Sequence, residues 1–160
     1  MIIHLLSGPV RSGKTTRLTA WASGQASVAG LLMPAENRAT RRFHDLRTGL
    51  QWSVNARPGD WQAQCIGPHR FSSAAFGWAN HALLGAATTP ETRCLVVDEV
   101  GPLELRGQGL APALHTILHT KSYQPANLVL VVRTPLVVAA VHTFNLQRWQ
   151  LQDFSATNSY

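Results

Sequence analysis

At 160 residues, 45% of them hydrophobic and 14% charged, with five Trp and five Phe, the chain has the length of one domain, enough apolar surface for a sizeable core, and too little charge for an intrinsically disordered protein. Its longest apolar stretch, residues 128–141, is broken by Arg133 and Pro135, so nothing approaches the roughly 20 residues of a membrane span. The net charge of +6, from twelve Arg and two Lys against eight acids, suits a polyanionic partner, and both a nucleotide and a nucleic acid fit it. Cys65 and Cys94 are too few for a disulfide framework or a zinc quartet, and the opening MIIHLLSGPV carries no cationic leader. A reduced, cytoplasmic protein without a signal peptide is therefore expected.

No repeat, low-complexity segment or linker divides the chain, which reads as one domain over 1–160. Ile2 to Leu6 is a short apolar run closed by Ser7-Gly8-Pro9 and reads as a buried strand. Leu18 and Trp21 have helical spacing within Thr15 to Ala22, with Gly24 as a stop. Val28 to Met33 is a second strand, ended by Pro34. Arg41 to Leu46 and Leu50 to Val54 flank Arg47-Thr48-Gly49 and predict a hairpin. Arg57-Pro58-Gly59-Asp60 predicts a turn. Ala75, Phe76, Ala79, Leu83 and Leu84 predict a helix over Ser72 to Ala87.

Further on, Cys94 to Val97 is an apolar run ending at Asp98-Glu99, and Leu110 to Leu118 is helical in pattern. Leu128 to Val132 is another buried strand, Pro135 can open a helix reaching about Thr143, and Arg148 to Phe154 predicts a last strand. Apolar strands interleaved with helical patterns imply an α/β fold, its central sheet mostly parallel, with helices on both faces and a small β-hairpin. Such sheets bind ligands beyond the carboxyl ends of their strands.

The strongest motif lies there. Gly8-Pro9-Val10-Arg11-Ser12-Gly13-Lys14-Thr15, followed by Thr16, matches the pattern of a phosphate-binding loop between a strand and a helix. The glycines let the backbone approach phosphate oxygens, successive amides form an anion nest, and the helix start adds its positive end. Lys14 would reach the β- and γ-phosphates, and the Thr15 hydroxyl would bind Mg²⁺. Arg11 reads equally as a phosphate contact or as a solvated loop charge. At the tip of the run from Cys94, Asp98 would be the second Mg²⁺ ligand and Glu99 would polarise the attacking water. Alone, an apolar run with Asp-Glu is a weak signal; paired with the loop it is a strong one.

Gly8 to Thr16 together with Asp98-Glu99-Val100-Gly101-Pro102-Leu103-Glu104-Leu105 resembles the thermophile-type nucleoside-triphosphatase family, known in vertebrates as cancer-related nucleoside-triphosphatase. The family carries Ile and Met where this chain has Val100 and Leu103. Gly30 to Arg38, with Glu36 and Arg38 at the places of a recurring Glu-x-Arg, is similar to it as well, as is the polar hairpin ending Asp45-Leu46-Arg47-Thr48-Gly49. The resemblance runs over roughly residues 1–135. It implies a P-loop domain of the additional-strand type and slow, Mg²⁺-dependent hydrolysis of ATP, GTP and other nucleoside triphosphates, with broad base preference. It also implies that Arg38 stabilises charge at the γ-phosphate. The chain departs from the family at Arg11, where a small residue is usual. It departs again at its end, where Thr157 and Asn158 stand without the Arg of a Thr-x-x-Asn-Arg string.

Other constellations read more simply. Arg41 and Arg42 suit a solvated edge strand. A nucleic-acid surface would interleave exposed aromatics with its charges, whereas Phe43 and Trp52 are expected to cover the core. His115 and His119 have zinc spacing but lack the accompanying Glu, and a surface pair is the better reading. Trp21, Trp61 and Trp78 are expected in the core or at its boundary. Glu104 either orients the site or caps a helix. The sequence thus points to a nucleoside-triphosphatase. A phosphotransferase and a nucleotide-dependent switch or accessory protein remain as alternatives, and a protein partner for the latter is not evident.

Overall fold

A computed structural model of the chain describes residues 1–9, 11–34, 40–123 and 125–156. Strands β1 (Ile2–Gly8), β2 (Val28–Leu32), β3 (Arg42–Asp45), β4 (Gln51–Ser53), β7 (Cys94–Val100), β8 (Asn127–Arg133) and β9 (Gln150–Asp153) form one sheet in the order β4-β3-β2-β7-β8-β1-β9. The pairings β2–β7, β7–β8, β8–β1 and β1–β9 are parallel, while β3 and β4 add an antiparallel extension to β2. The expected hairpin is therefore present as part of the main sheet. A separate antiparallel pair, β5 (Gln64–Ile66) and β6 (His69–Phe71), was not anticipated.

Alternation along the central strands sends side chains to two cores. Leu95 and Val97 of β7, with Leu128, Leu130 and Val132 of β8, pack with α2 (Ser73–Ala87), α3 (Ala111–His119) and α4 (Val137–Thr143). Cys94, Val96, Val129 and Val131 face the other way, against Leu18 and Trp21 of α1 (Lys14–Ala22). Trp21 meets Phe154 edge-on at 5.0 Å, which pins Phe154, the residue after β9, over α1. Full burial of such strands on both faces explains why they read as continuous apolar runs. Gly30 has φ +122°, and a Cβ there would strike the Val96 backbone, so β2 and β7 can pair only with glycine at this point.

The start of α2 is capped by Ser72, whose side chain accepts from Ala75 N at 3.3 Å. From α2, Asn80 bonds to both sides of the α3 start: its amide donates to Gly109 O (2.8 Å) and its carbonyl accepts from Ala113 N (2.8 Å). A cleft of about 620 Å³ opens beside the carboxyl end of α1, lined by Thr19, Ser23, Gln25, His44, Arg47 and Thr92 among others. That cleft lies at the opposite end of α1 from the phosphate loop. Among the described residues no helix is long and apolar enough to cross a membrane.

Trp61 departs from expectation. It is 85% exposed, carried outward by the turns that follow Arg57-Pro58-Gly59-Asp60. Trp21 is buried, and Trp78 is half-buried, stacked on Trp52 with ring centroids 5.6 Å apart. Phe43 is buried and meets Phe76 edge-on. Trp52, expected to cover the core, instead keeps 46% of its surface exposed on β4.

Candidate functional site

The tips of β1, β7 and β8 lie side by side at the carboxyl edge of the sheet. β8 stands between the strand that leads into the phosphate loop and the strand that carries the acids, as the additional-strand arrangement requires. The loop leaves β1 at Gly8 and enters α1 at Lys14. Arg11 (φ +61°) and Gly13 (φ +77°) both take left-handed backbone conformations. Such residues turn successive N–H groups toward one side and form an anion-binding concavity. Arg11, Ser12 and Gly13 are exposed along it. The Lys14 ammonium folds back over the loop, donating to Gly8 O (3.0 Å), Pro9 O (2.6 Å) and Ser12 Oγ (3.3 Å). It is thus parked on the loop's own carbonyls.

Thr15, in the first turn of α1, donates its hydroxyl to Asp98 Oδ2 at 2.9 Å, and Met33 N donates to the same oxygen at 3.0 Å. Asp98 is 1% exposed, and its Oδ1 has no hydrogen-bond partner among the described residues. Burial pushes its pKa up to about 6; the Met33 and Thr15 hydrogen bonds oppose that shift, and the neighbouring Glu99 charge adds to it. A buried carboxylate oxygen without a partner, next to a threonine hydroxyl and the phosphate loop, is a hard-oxygen donor set that fits Mg²⁺. Asp98 and Thr15 would hold it.

β7 runs on through Asp98 and Glu99 to Val100, three residues beyond the apolar run, with a register break against β8 between Val97 and Val100. The break has a local cause. Glu99 adopts φ +64°, a conformation that costs a non-glycine residue about 1–2 kcal/mol. The kink turns the Glu99 side chain to Arg133 at the tip of β8, with Nη2 3.3 Å from Oε2. Arg133 pairs in register with Gly8, the first residue of the loop. The sequence reading missed Arg133. Its signal was a charge placed directly after an apolar strand run, the same signal that marked Asp98.

Glu104 resolves to a clear role. It is 4% exposed, accepts from Gly101 N (2.9 Å) and Leu110 N (3.0 Å), and so ties the turn after β7 to the start of α3. Burial pushes its pKa up to about 7 against those two hydrogen bonds. Gly109 (φ +60°) leaves room for it, since a Cβ there would strike Glu104 Oε1.

Two solved structures share this architecture. THEP1 from the hyperthermophile Aquifex aeolicus superposes with a TM-score of 0.69 at 16% identity, over 97% of this chain and 90% of its own. The human cancer-related nucleoside triphosphatase superposes with a TM-score of 0.65 at 21% identity, over 99% of this chain and 91% of its own. The chain shares the fold of these two proteins. No family model matches it, and neither does any curated protein.

Within that fold the structure brings Gly8, Ser12, Gly13, Lys14, Thr15, Asp98 and Glu99 to one edge. Thr16 is exposed on the first turn of α1. Val10, Glu36, Arg38, Thr157 and Asn158 lie outside the described residues. His115 and His119 are both exposed on α3, His119 Nδ1 lying 2.9 Å from His115 O. Among the described residues no group of three or more His, Cys, Asp or Glu side chains is arranged to hold a metal.

Proposed function

We propose that the protein hydrolyses nucleoside 5′-triphosphates to the diphosphate and phosphate with Mg²⁺ and with broad base preference. The observation that carries this reading is the Thr15–Asp98 contact at 2.9 Å beneath the phosphate loop, with Asp98 Oδ1 unpartnered. It sets a divalent-ion donor pair where the β- and γ-phosphates of a nucleotide in the loop would lie.

The amides of the loop and the positive end of α1 bind the phosphates. Lys14 exchanges the carbonyls of Gly8 and Pro9 for phosphate oxygens. Mg²⁺ held by Thr15 and Asp98 would supply charge neutralisation to the triphosphate. Glu99 accepts a proton from water as the water oxygen forms its bond to the γ-phosphorus. The bond from that phosphorus to the bridging oxygen breaks, and its electron pair leaves with the diphosphate. Arg38 contributes positive charge near the γ-phosphate. The protein's share of catalysis is positioning and electrostatics, with no covalent intermediate on the chain. Slow turnover suits a site that relies on its own chain for these charges, and two free cysteines, Cys65 and Cys94, suit a reducing cytoplasm.

The deciding experiment is release of free phosphate from ATP, GTP, CTP and UTP with Mg²⁺, wild type beside Lys14→Ala. Release from several triphosphates that Lys14→Ala abolishes is the expected result. Nucleotide binding without release from any of the four would overturn the reading.

A further inference from the structure

The surface around the start of α2 gathers aromatic rings and positive charge that the triphosphatase reading does not use. Three hydrogen bonds hold it together. Ser72 N donates to Val54 O (2.8 Å), two residues beyond Trp52. Ser73 Oγ donates to the carbonyl of Gln62, the residue after Trp61, and Arg70 Nη2 donates to the carbonyl of Asp60, the residue before it. Trp52 and Trp61 are therefore both tied to the start of α2, the helix that also carries Trp78. Trp61 is 85% exposed, and Trp52 stacks on Trp78 at an interplanar angle of 22° while keeping 46% of its surface in solvent. Arg57 and Arg70 are exposed, and the carbonyl of Arg41 accepts from Val54 N (3.0 Å) beside them. Little negative charge offsets these arginines. Asp60 is the single acid in the whole stretch from Leu46 to Pro90, and it is half-buried. Elsewhere Asp45, Asp98 and Glu104 are buried, and Glu99 is engaged by Arg133. Exposed rings interleaved with arginines are what a nucleic-acid surface requires, and the exposure of Trp52 and Trp61 supplies them.

We propose that this patch binds single-stranded nucleic acid. Unpaired bases stack on Trp61 and on the open side of Trp52, while Arg41, Arg57 and Arg70 hold the phosphates between them. Stacking needs only a π-face, so the surface accepts any base. A duplex, whose bases already stack on one another, offers it phosphates alone. An anionic membrane also suits tryptophan with arginine, but these rings come from a three-residue strand and a turn, with the exposed polar Ser53 and Gln62 beside them. They present no continuous apolar face to insert. β4 stands five places from β1 in the sheet, about 24 Å at the usual strand spacing. The patch is thus separate from the phosphate loop, and the proposal does not depend on the triphosphatase reading.

The test is fluorescence anisotropy of an end-labelled oligouridylate of about 12 nucleotides with a 5′-hydroxyl, beside oligodeoxythymidylate and a duplex of the same length. Both single strands should bind, and the duplex at least about tenfold more weakly. Three arginines on phosphates predict an affinity that falls about 20-fold between about 50 and 200 mM KCl. Trp61→Ala should weaken single-strand binding about tenfold while leaving the thermal midpoint and phosphate release from ATP unchanged. Trp52→Phe, which keeps a ring, should lose less than Trp52→Ala. Arg57→Ala should make the salt slope shallower by about 0.7. Millimolar ADP with Mg²⁺ should not displace the oligonucleotide; displacement would put it in the phosphate loop and overturn the proposal. Equal binding of single strand and duplex, untouched by Trp61→Ala, would leave only general charge attraction and overturn it too. So would binding to phosphatidylserine vesicles, lost in Trp61→Ala, with no oligonucleotide bound, since the patch would then face a membrane. If wild type released no phosphate from ATP, the triphosphatase reading would fail and the oligonucleotide result would still decide this one.

Discussion

The hydroxyl of Thr15 lies 2.9 Å from Asp98 Oδ2, joining two side chains 83 positions apart. It fastens the first turn of α1 to the tip of β7 before any ligand is present. Thr15→Val removes that hydroxyl at nearly constant volume. Mg²⁺-dependent phosphate release should drop by about 100-fold. Binding of ADP in EDTA should stay within about twofold of wild type, because the loop amides and Lys14 act without the metal. Equal loss in EDTA would show that the hydroxyl supports the loop itself.

Asp98 should make divalent-ion binding pH-dependent. Burial raises its pKa from 3.8 to about 6, so the nucleotide-free protein holds a proton there through mildly acidic solution. A metal ion binds only the carboxylate and must displace that proton. Mn²⁺ affinity of the nucleotide-free protein, followed by EPR, should weaken about tenfold per pH unit below about pH 6 and level off above it. Asp98→Asn should bind weakly at every pH. An affinity unchanged between pH 5 and pH 7 would remove Asp98 from the metal site.

Glu99 occupies a backbone conformation that favours glycine, with φ +64°. Glu99→Ala and Glu99→Gly lose the same carboxylate and the same contact to Arg133. Of the two, Glu99→Gly should be the more stable by about 1 kcal/mol in urea unfolding, since only glycine adopts this φ without steric cost. Both should bind nucleotide and neither should hydrolyse it at the wild-type rate. The local strain would then be tied to a side chain needed for activity. Equal stability of the two variants would show that the kink carries no strain.

Glu104 gives the fold a pH dependence of definite sign. Its pKa is about 7 in the folded protein against a reference of 4.5. Between those values the native state holds a proton that the unfolded chain has released, so stability falls as pH rises through the window. The thermal midpoint should drop between pH 5 and pH 8, on the order of 5 °C from this group. Glu104→Gln should remove the slope between about pH 6 and pH 7, leaving the part below about pH 6 that the raised pKa of Asp98 contributes. A variant that keeps the full wild-type slope would place the titration elsewhere.

The loop motif and the Asp98-Glu99 string were legible because each rests on local chemistry at the end of a strongly apolar strand. The same holds for the helices, whose Leu18, Trp21, Phe76 and Leu83 all land in the core. Pairing over long distances was less legible. β5 and β6 are three residues each, with mostly exposed or half-buried side chains around Gly67-Pro68, too short to show alternation. The contact of Arg133 with Glu99 depends on β8 lying beside β7, a fact of strand order that no window of sequence contains. Trp61 shows the converse: an apolar residue type implied burial, but its neighbours form turns and leave it in solvent.

The strand order also dictates when the phosphate loop can exist. β1 is the first strand of the chain, yet its two neighbours, β8 and β9, come from residues 127–133 and 150–153. Until β8 has been synthesised, β1 has no sheet to join, and the curl from Gly8 to Lys14 has no anchored strand behind it. A ribosome-tethered chain cut short after α3 would carry the whole motif and still be unable to hold a nucleotide. Closure over such separations slows folding, and it makes triphosphate binding a report that β8 has arrived.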